Sequence, residues 1–246
     1  MHKLSQLGFL VVFMTSILCV NAFAQQVSQL PKTVVVGDIH GDYKQLVKVL
    51  RANRLINKKD NWIGGNNRLV QMGDVVGHGA ESLKSIRLLI KLKQQAENAG
   101  GRVHVVLGDH EAMHILGDRR FVSADDIASL KDSSSQARLN AQYQSLFLQN
   151  DDNEKRKQVD KAHRKAFMDK NPLGLFEHQQ AWALSGQLGG WTLPNSAVLK
   201  LGGTLFVHGG IAPSKVNQKA LALNKEVKAA LIMNDEAVLM DFDSPL

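Results

Sequence analysis

The sequence predicts an α/β domain built on a mostly parallel sheet flanked by helices, and three observations predict it. Four short apolar runs, residues 34–36, 69–72, 103–107 and 205–207, each lead into a glycine within one or two residues; runs bounded in this way are buried strands that end in tight turns. Helical patterns separate the first three runs. Once the N-terminal leader described below is set aside, about 220 residues remain, enough for one sizeable core.

Taken in order, the first run, Thr33-Val34-Val35-Val36, is β-branched throughout, which suits a buried strand. Leu46, Val47 and Leu50 follow it at helical spacing, and Leu83, Ile86, Leu89, Ile90 and Leu92 follow the second run, closed by Gly100-Gly101. Strand, helix, strand, helix, strand implies parallel pairing with right-handed crossovers. Residues 123 to about 185 break this rhythm: Ser123-Ala124-Asp125-Asp126 has the form of a helix start, residues 133–170 are polar and helix-compatible, and Asn171-Pro172-Leu173-Gly174 ends them. This segment is read as a helical insertion, either a cap or a solvated surface. Residues 198–207 then read as a hairpin on Gly202-Gly203, and a last helix runs from Lys215 to about Ile232 behind Pro213-Ser214.

The first 24 residues are read as a secretory signal: a weakly basic start, an apolar stretch over residues 7–20, and the small-residue pattern Ala22-Phe23-Ala24. The apolar stretch is shorter than the roughly 20 residues a spanning helix needs. Cleavage after Ala24 leaves residues 25–246 as one domain, periplasmic or secreted, with no membrane association. The only cysteine, Cys19, leaves with the signal, so the mature chain has no disulfide and no thiol chemistry. Losing Lys3 lowers the formal charge from +7 to +6. Basic residues are scattered among acidic ones, without the aromatic-plus-basic stripe of a single-stranded nucleic-acid binder.

Four strand ends carry the chemistry, because ligands of open α/β sheets sit outside the carboxyl ends of the strands. The stretches presented there are Gly37-Asp38-Ile39-His40-Gly41, Gly73-Asp74-Val75-Val76-Gly77-His78-Gly79, Gly108-Asp109-His110-Glu111 and His208-Gly209-Gly210. Each sets an oxygen or imidazole donor beside glycine. Carboxylate mixed with imidazole suits Mn, Fe, Zn or Ni better than calcium or magnesium. A pair of such ions can bridge a phosphoryl group and lower the pKa of a shared water, and on this reading Asp38 and His40 hold the first.

The series GDIHG, GDVVGHG, GDHE and FVHGG resembles the GDxHG, GDxxDRG, GNHE and HGG series of calcineurin-like metallophosphoesterases in the phosphoprotein-phosphatase superfamily. The wording around it is most similar to bacterial Shewanella-like protein phosphatases. The resemblance implies two packed mixed β-sheets flanked by helices, an αββα sandwich. It implies two divalent ions, with Asp38 and His40 on one, Asp74 bridging both, and Asp109 and His208 on the second. It also implies that His110 protonates the leaving oxygen, oriented by a nearby carboxylate, and that the substrate is a phosphorylated protein or a small phosphate ester.

Three departures from the family pattern stand out. Where the family has Asp-Arg-Gly, this chain has Gly77-His78-Gly79, which removes a bidentate guanidinium grip on phosphate and leaves His78 as a single-bond phosphate contact or a relic. Asp109 stands where Asn is expected, so Asp38, Asp74 and Asp109 bring −3 against the +4 of two divalent ions; tighter metal binding and weaker pull on an anionic substrate are expected. The chain closes on Asp243-Ser244-Pro245-Leu246, where relatives continue into a Trp-x-Arg-Gly motif, a further strand and a last metal-ligating histidine, so a truncated form without its last strands is expected. Two alternatives to a phosphatase follow: an impaired relative that keeps metal or phosphate binding, and a dinucleoside polyphosphate hydrolase. His104, His114, His163 and His178 are read as structural or solvated, Trp182, Trp191 and Phe176 as core, and Asp151-Asp152-Asn153-Glu154-Lys155-Arg156-Lys157 as a solvated helix face.

Overall fold

The computed structural model describes residues 31–147 and 161–235. The expected leader with Cys19, the charged run 151–157 and the last residues, 243–246, lie outside the described residues.

The first half is a parallel sheet with its crossover helices. Strands β1 (Thr33–Val36), β2 (Arg68–Gln71) and β3 (Arg102–Val105) pair in that order, with Thr33 opposite Arg68 and Arg68 opposite Arg102. Alternation then turns Val34, Val36, Leu69, Val103 and Val105 to one face. Against that face pack Leu46, Val47 and Leu50 of α1 (Tyr43–Ala52) and Leu83, Ile86, Leu89 and Leu92 of α2 (Ser82–Asn98). On the other face Val35 is half exposed. Asp42 caps α1 by accepting from the Gln45 N–H at 2.9 Å, fixing where the chain turns from strand end to helix.

Helix α3 (Asp109–Leu116) follows β3 directly; the sequence reading contained no helix there. The expected insertion consists of short helices among the described residues: α4 (Ala124–Ala128), α5 (Ser135–Phe147), α6 (Lys161–Lys170), α7 (Leu175–Trp182) and α8 (Gln187–Thr192). Ser123 starts α4 by accepting from the Asp126 N–H at 3.0 Å. Trp182, Trp191 and Leu188 join the core under the parallel sheet, which ties the insertion to the domain.

The chain then returns beside β3. A parallel bridge joins Val106 to Ser196, and the antiparallel hairpin of β4 (Val198–Leu201) and β5 (Thr204–Val207) turns on Gly202-Gly203. The result is a mixed α/β fold with parallel and antiparallel sheets flanked by helices. The last helix differs from its expected start. Pro213–Lys215 form only a 3-10 turn, Lys219 is extended, and α9 spans Ala220–Met233, because proline presets one turn and the turn closes within itself through Lys215 N–H to Ala212 and Gln218 N–H to Lys215. Asn224 of α9 bonds both backbone groups of Val198 at 2.8 Å, and Val227, Ala230 and Leu231 pack on Leu107, Ala112 and Ala197. This packing holds β5, and so His208, beside the end of β3. No described helix is long and apolar enough to cross a membrane.

Candidate metal centre

The strand-end loops are stitched to each other through the backbone. Ile39 and His40 N–H both donate to the Asp74 carbonyl at 2.8 Å, Gly41 N–H to Val75, and Gly79 N–H back to His40. So close an approach requires glycine: a Cβ on Gly79 would lie 2.3 Å from the His40 carbonyl oxygen. The stitching holds His40, Asp74 and His78 at φ values of 47, 53 and 58°, a left-handed conformation that non-glycine residues adopt at a cost of roughly 1–3 kcal/mol each, and that clusters at functional sites.

Glu111 supports the centre from below. Its buried carboxylate accepts from the N–H groups of Asp74 (2.9 Å), Val75 (2.8 Å), Val76 (3.3 Å) and Gly108 (3.0 Å). Burial, then the Asp74 charge, push its pKa up to about 7, while those N–H groups pull the other way. The sequence motif that carries Glu111 assigns it no role of its own. The signal was present, since a glutamate three residues after Gly108 can reach back to the start of a helix.

Around this support the expected donors converge on one oxygen. Asp74 Oδ2 lies 3.3 Å from His208 Nε2, 3.7 Å from His40 Nε2 and 3.9 Å from His110 Nε2, while Asp74 Oδ1 accepts from the His110 N–H at 3.2 Å. Asp38, about half exposed, comes within 4.0 Å of His40 Nε2 and 3.9 Å of His208 Nδ1; Asp109, similarly exposed, lies 3.2 Å from His208 Nε2. His40 Nδ1 donates to the Val76 carbonyl at 3.1 Å and His208 Nδ1 to that of Met72 at 2.9 Å. A carbonyl only accepts, so each Nδ1 carries a proton and each Nε2 faces the carboxylates, where its lone pair would go to a bound ion, the tautomer lock of metal-ligating histidines. The donor set therefore fits divalent transition ions. Without ions, hydrogen bonds to Asp109 and Asp74 push the His208 pKa up to about 11, and the same contact holds Asp109 below its usual range.

Two further residues, His110 and His78, lie against these donors. His110 was expected to lean on a carboxylate, but its Nδ1 is buried with no partner. Gly77 lies against it: a Cβ on this residue, whose φ is +90°, would stand 2.1 Å from that nitrogen, so the ring occupies the space a side chain there would fill. Burial holds the His110 pKa below its ordinary value, against the pull of Asp74 and Asp109. His78 is exposed; its ring centroid lies 5.0 Å from His40, 5.1 Å from His110 and 5.0 Å from Phe121.

The fold and this strand-end set define a class: an α/β domain whose loops gather carboxylates and imidazoles into one candidate centre for divalent ions. The chain belongs to the calcineurin-like phosphoesterase family, whose model matches residues 31–237. It is 42% identical over 92 residues to Shewanella-like protein phosphatase 2 of Arabidopsis thaliana, a match covering 37% of this chain and 24% of that protein. With Shewanella-like protein phosphatase 1 of Plasmodium berghei it shares 38% identity over 96 residues, or 39% and 26% of the two chains. A symmetrical bis(5'-nucleosyl)-tetraphosphatase of Psychromonas ingrahamii is 31% identical over 94 residues, 38% of this chain and 28% of that one. These matches thus span about a quarter of the relatives' length. In fold, the chain resembles the cold-active protein-tyrosine phosphatase of a psychrophilic Shewanella species, with a TM-score of 0.62 at 21% identity, over 88% of this chain and 56% of that one.

Proposed function

We propose that the chain is a two-metal phosphomonoesterase of the protein-phosphatase kind, acting in the periplasm or outside the cell on phosphoproteins or small phosphate esters. The observation that carries this reading is the single Asp74 oxygen within 3.3–3.9 Å of three imidazoles drawn from three strand ends. Asp38, His40 and Asp74 would hold one ion, and Asp74, Asp109 and His208 the other, manganese, iron or zinc by donor type. When bound, such ions supply Lewis-acid polarisation of the phosphoryl group and lower the pKa of attacking water.

The remaining work falls to the chain's own side chains. His110 Nε2, facing the centre, is placed to give its proton to the leaving oxygen. With Nδ1 unpartnered, the ring is held by packing against His40, His78 and Phe121 and by the approach of its Nε2 to Asp74. His78 offers an incoming phosphate one N–H in place of a two-pronged guanidinium grip, so binding is weak. The Asp109 carboxylate tightens the ions and reduces the positive charge left for the substrate.

Purified protein with Mn²⁺ and p-nitrophenyl phosphate, beside Asp74→Asn, tests this: turnover no faster than the variant's would leave the impaired reading, in which metal or phosphate still binds. The tetraphosphatase similarity supports a second reading, and diadenosine tetraphosphate hydrolysed faster than the phosphomonoester would favour it.

A further inference from the structure

A second group of metal-type donors lies inside the helical part. His114 comes from the last turn of α3, Asp126 from α4 and His178 from α7. Each is no more than 4% exposed, and each offers a donor atom within 4.8 Å of those of the other two. His114 Nε2, Asp126 Oδ1 and His178 Nε2 have no hydrogen-bond partner. Buried polar atoms are seldom left so, and three of them within one cluster of metal-type donors call for something between them.

We propose that His114, Asp126 and His178 bind one divalent transition-metal ion, zinc by donor type, at a structural site separate from the strand-end centre. Two imidazoles and a carboxylate are a zinc donor set. His114 is already in the ligand tautomer: its Nδ1 donates to the His110 carbonyl at 2.7 Å, the same lock that His40 and His208 show. Burial holds both imidazoles near pKa 4, so at neutral pH they carry free lone pairs. The indole of Trp182 lies 4.5 Å from the His114 ring, and its buried Nε1 also lacks a partner; a donor-only group there suits a water completing the ion's shell. One carboxylate leaves the loaded site with net positive charge, and Arg119 acts on His178 with the same sign, so moderate affinity is expected. Such an ion would pin α4 and α7 of the insertion to the helix whose first turn carries Asp109 and His110.

Metal analysis of the full chain, reconstituted with zinc and freed of loose metal by gel filtration, tests the site. In an Asp74→Asn/His208→Asn background, with folding checked by circular dichroism, about one zinc per chain should remain and should be lost on adding His178→Gln. Zinc should raise the thermal midpoint of the background chain and leave that of the triple variant unmoved. A folded background chain that retains no zinc overturns the proposal, and a bridging water then satisfies the cluster. If the background chain fails to fold, wild type and His178→Gln are compared directly: one equivalent fewer in the variant supports the site, and equal content overturns it.

Discussion

Helix α3 feeds two groups of similar donors, and they are built on opposite terms. Its first turn gives Asp109 and His110 to the strand-end centre; its last turn gives His114 to the buried group. The strand-end centre holds three carboxylates, two of them half exposed, on loops whose backbone N–H groups are tied to one another and to Glu111. The buried group holds one carboxylate, has no exposed donor and leaves one atom of each residue, His114 Nε2, Asp126 Oδ1 and His178 Nε2, unpaired. Identical residue types thus serve different ends according to access. On the proposed function, open donors with excess negative charge would capture ions and admit a substrate, whereas sealed donors would only hold helices together.

The largest effect that would sharpen this contrast comes from Asp74, the expected bridge between the two ions, whose Oδ2 lies 3.3–3.9 Å from three imidazoles. Asp74→Asn should lower phosphatase turnover at least about 100-fold, since even partners outside the ligand shell of metal sites contribute 10- to 100-fold. Turnover within a few-fold of wild type would show that the centre does not do the chemistry. Glu111→Gln comes next and should act on stability. The amide can keep one pair of N–H groups but turns its own NH₂ toward the other pair, so about 2–6 kcal/mol should disappear in urea unfolding, each of the two orphaned donors costing roughly 1–3 kcal/mol. A loss below about 1 kcal/mol would mean that the strand-end loops hold each other without the carboxylate.

Gly77→Ala separates acid from metal. A methyl at that position meets His110 Nδ1 at 2.1 Å and the backbone stands at φ +90°, so the imidazole must swing away. A fall in kcat of about 100-fold with metal content unchanged is expected, the lower range for a displaced general acid. Equal loss of metal would place His110 among the ligands.

These variants also mark how far the sequence could be read. The parallel strands, the hairpin and the grouping of the strand-end donors were legible because each signal was local: short apolar runs, with Asp38, Asp74 and Asp109 just past the glycine that ends each of the first three and His208 directly after the last. The buried group was not. His114 and Asp126 lie 12 residues apart and His178 another 52 further on, with no period joining them. Only the packing of α3, α4 and α7 brings them together, and histidines scattered in amphipathic helices read as surface or filler. Glu111 and Gly77 escaped for a related reason, since their roles depend on loops supplied by other strands.

The smallest effect asks whether the buried group behaves as the contrast requires, in metal-free protein. Burial raises Asp126 from its ordinary value to about 6, against the pull of backbone N–H groups at Ser82 and Leu83. Its folded pKa lies above the unfolded one, so the native state holds the extra proton between about pH 4 and 6. The stability this gives is full below pH 4 and lost as pH rises through 6, at up to about 1.4 kcal/mol per pH unit. His114 and His178 run the opposite way: held near pKa 4 when folded, they take up protons on unfolding below 6.5, so their contribution grows with pH over the same window. In wild type the aspartate slope offsets part of the histidine slopes. Asp126→Asn removes only the first, and its unfolding free energy should therefore rise with pH between 4 and 6 more steeply than that of wild type, by about 1.4 kcal/mol per unit at most. Parallel curves for the two proteins would mean that the Asp126 carboxyl is already ionised in the folded chain, hydrated or paired, and that the group is not sealed.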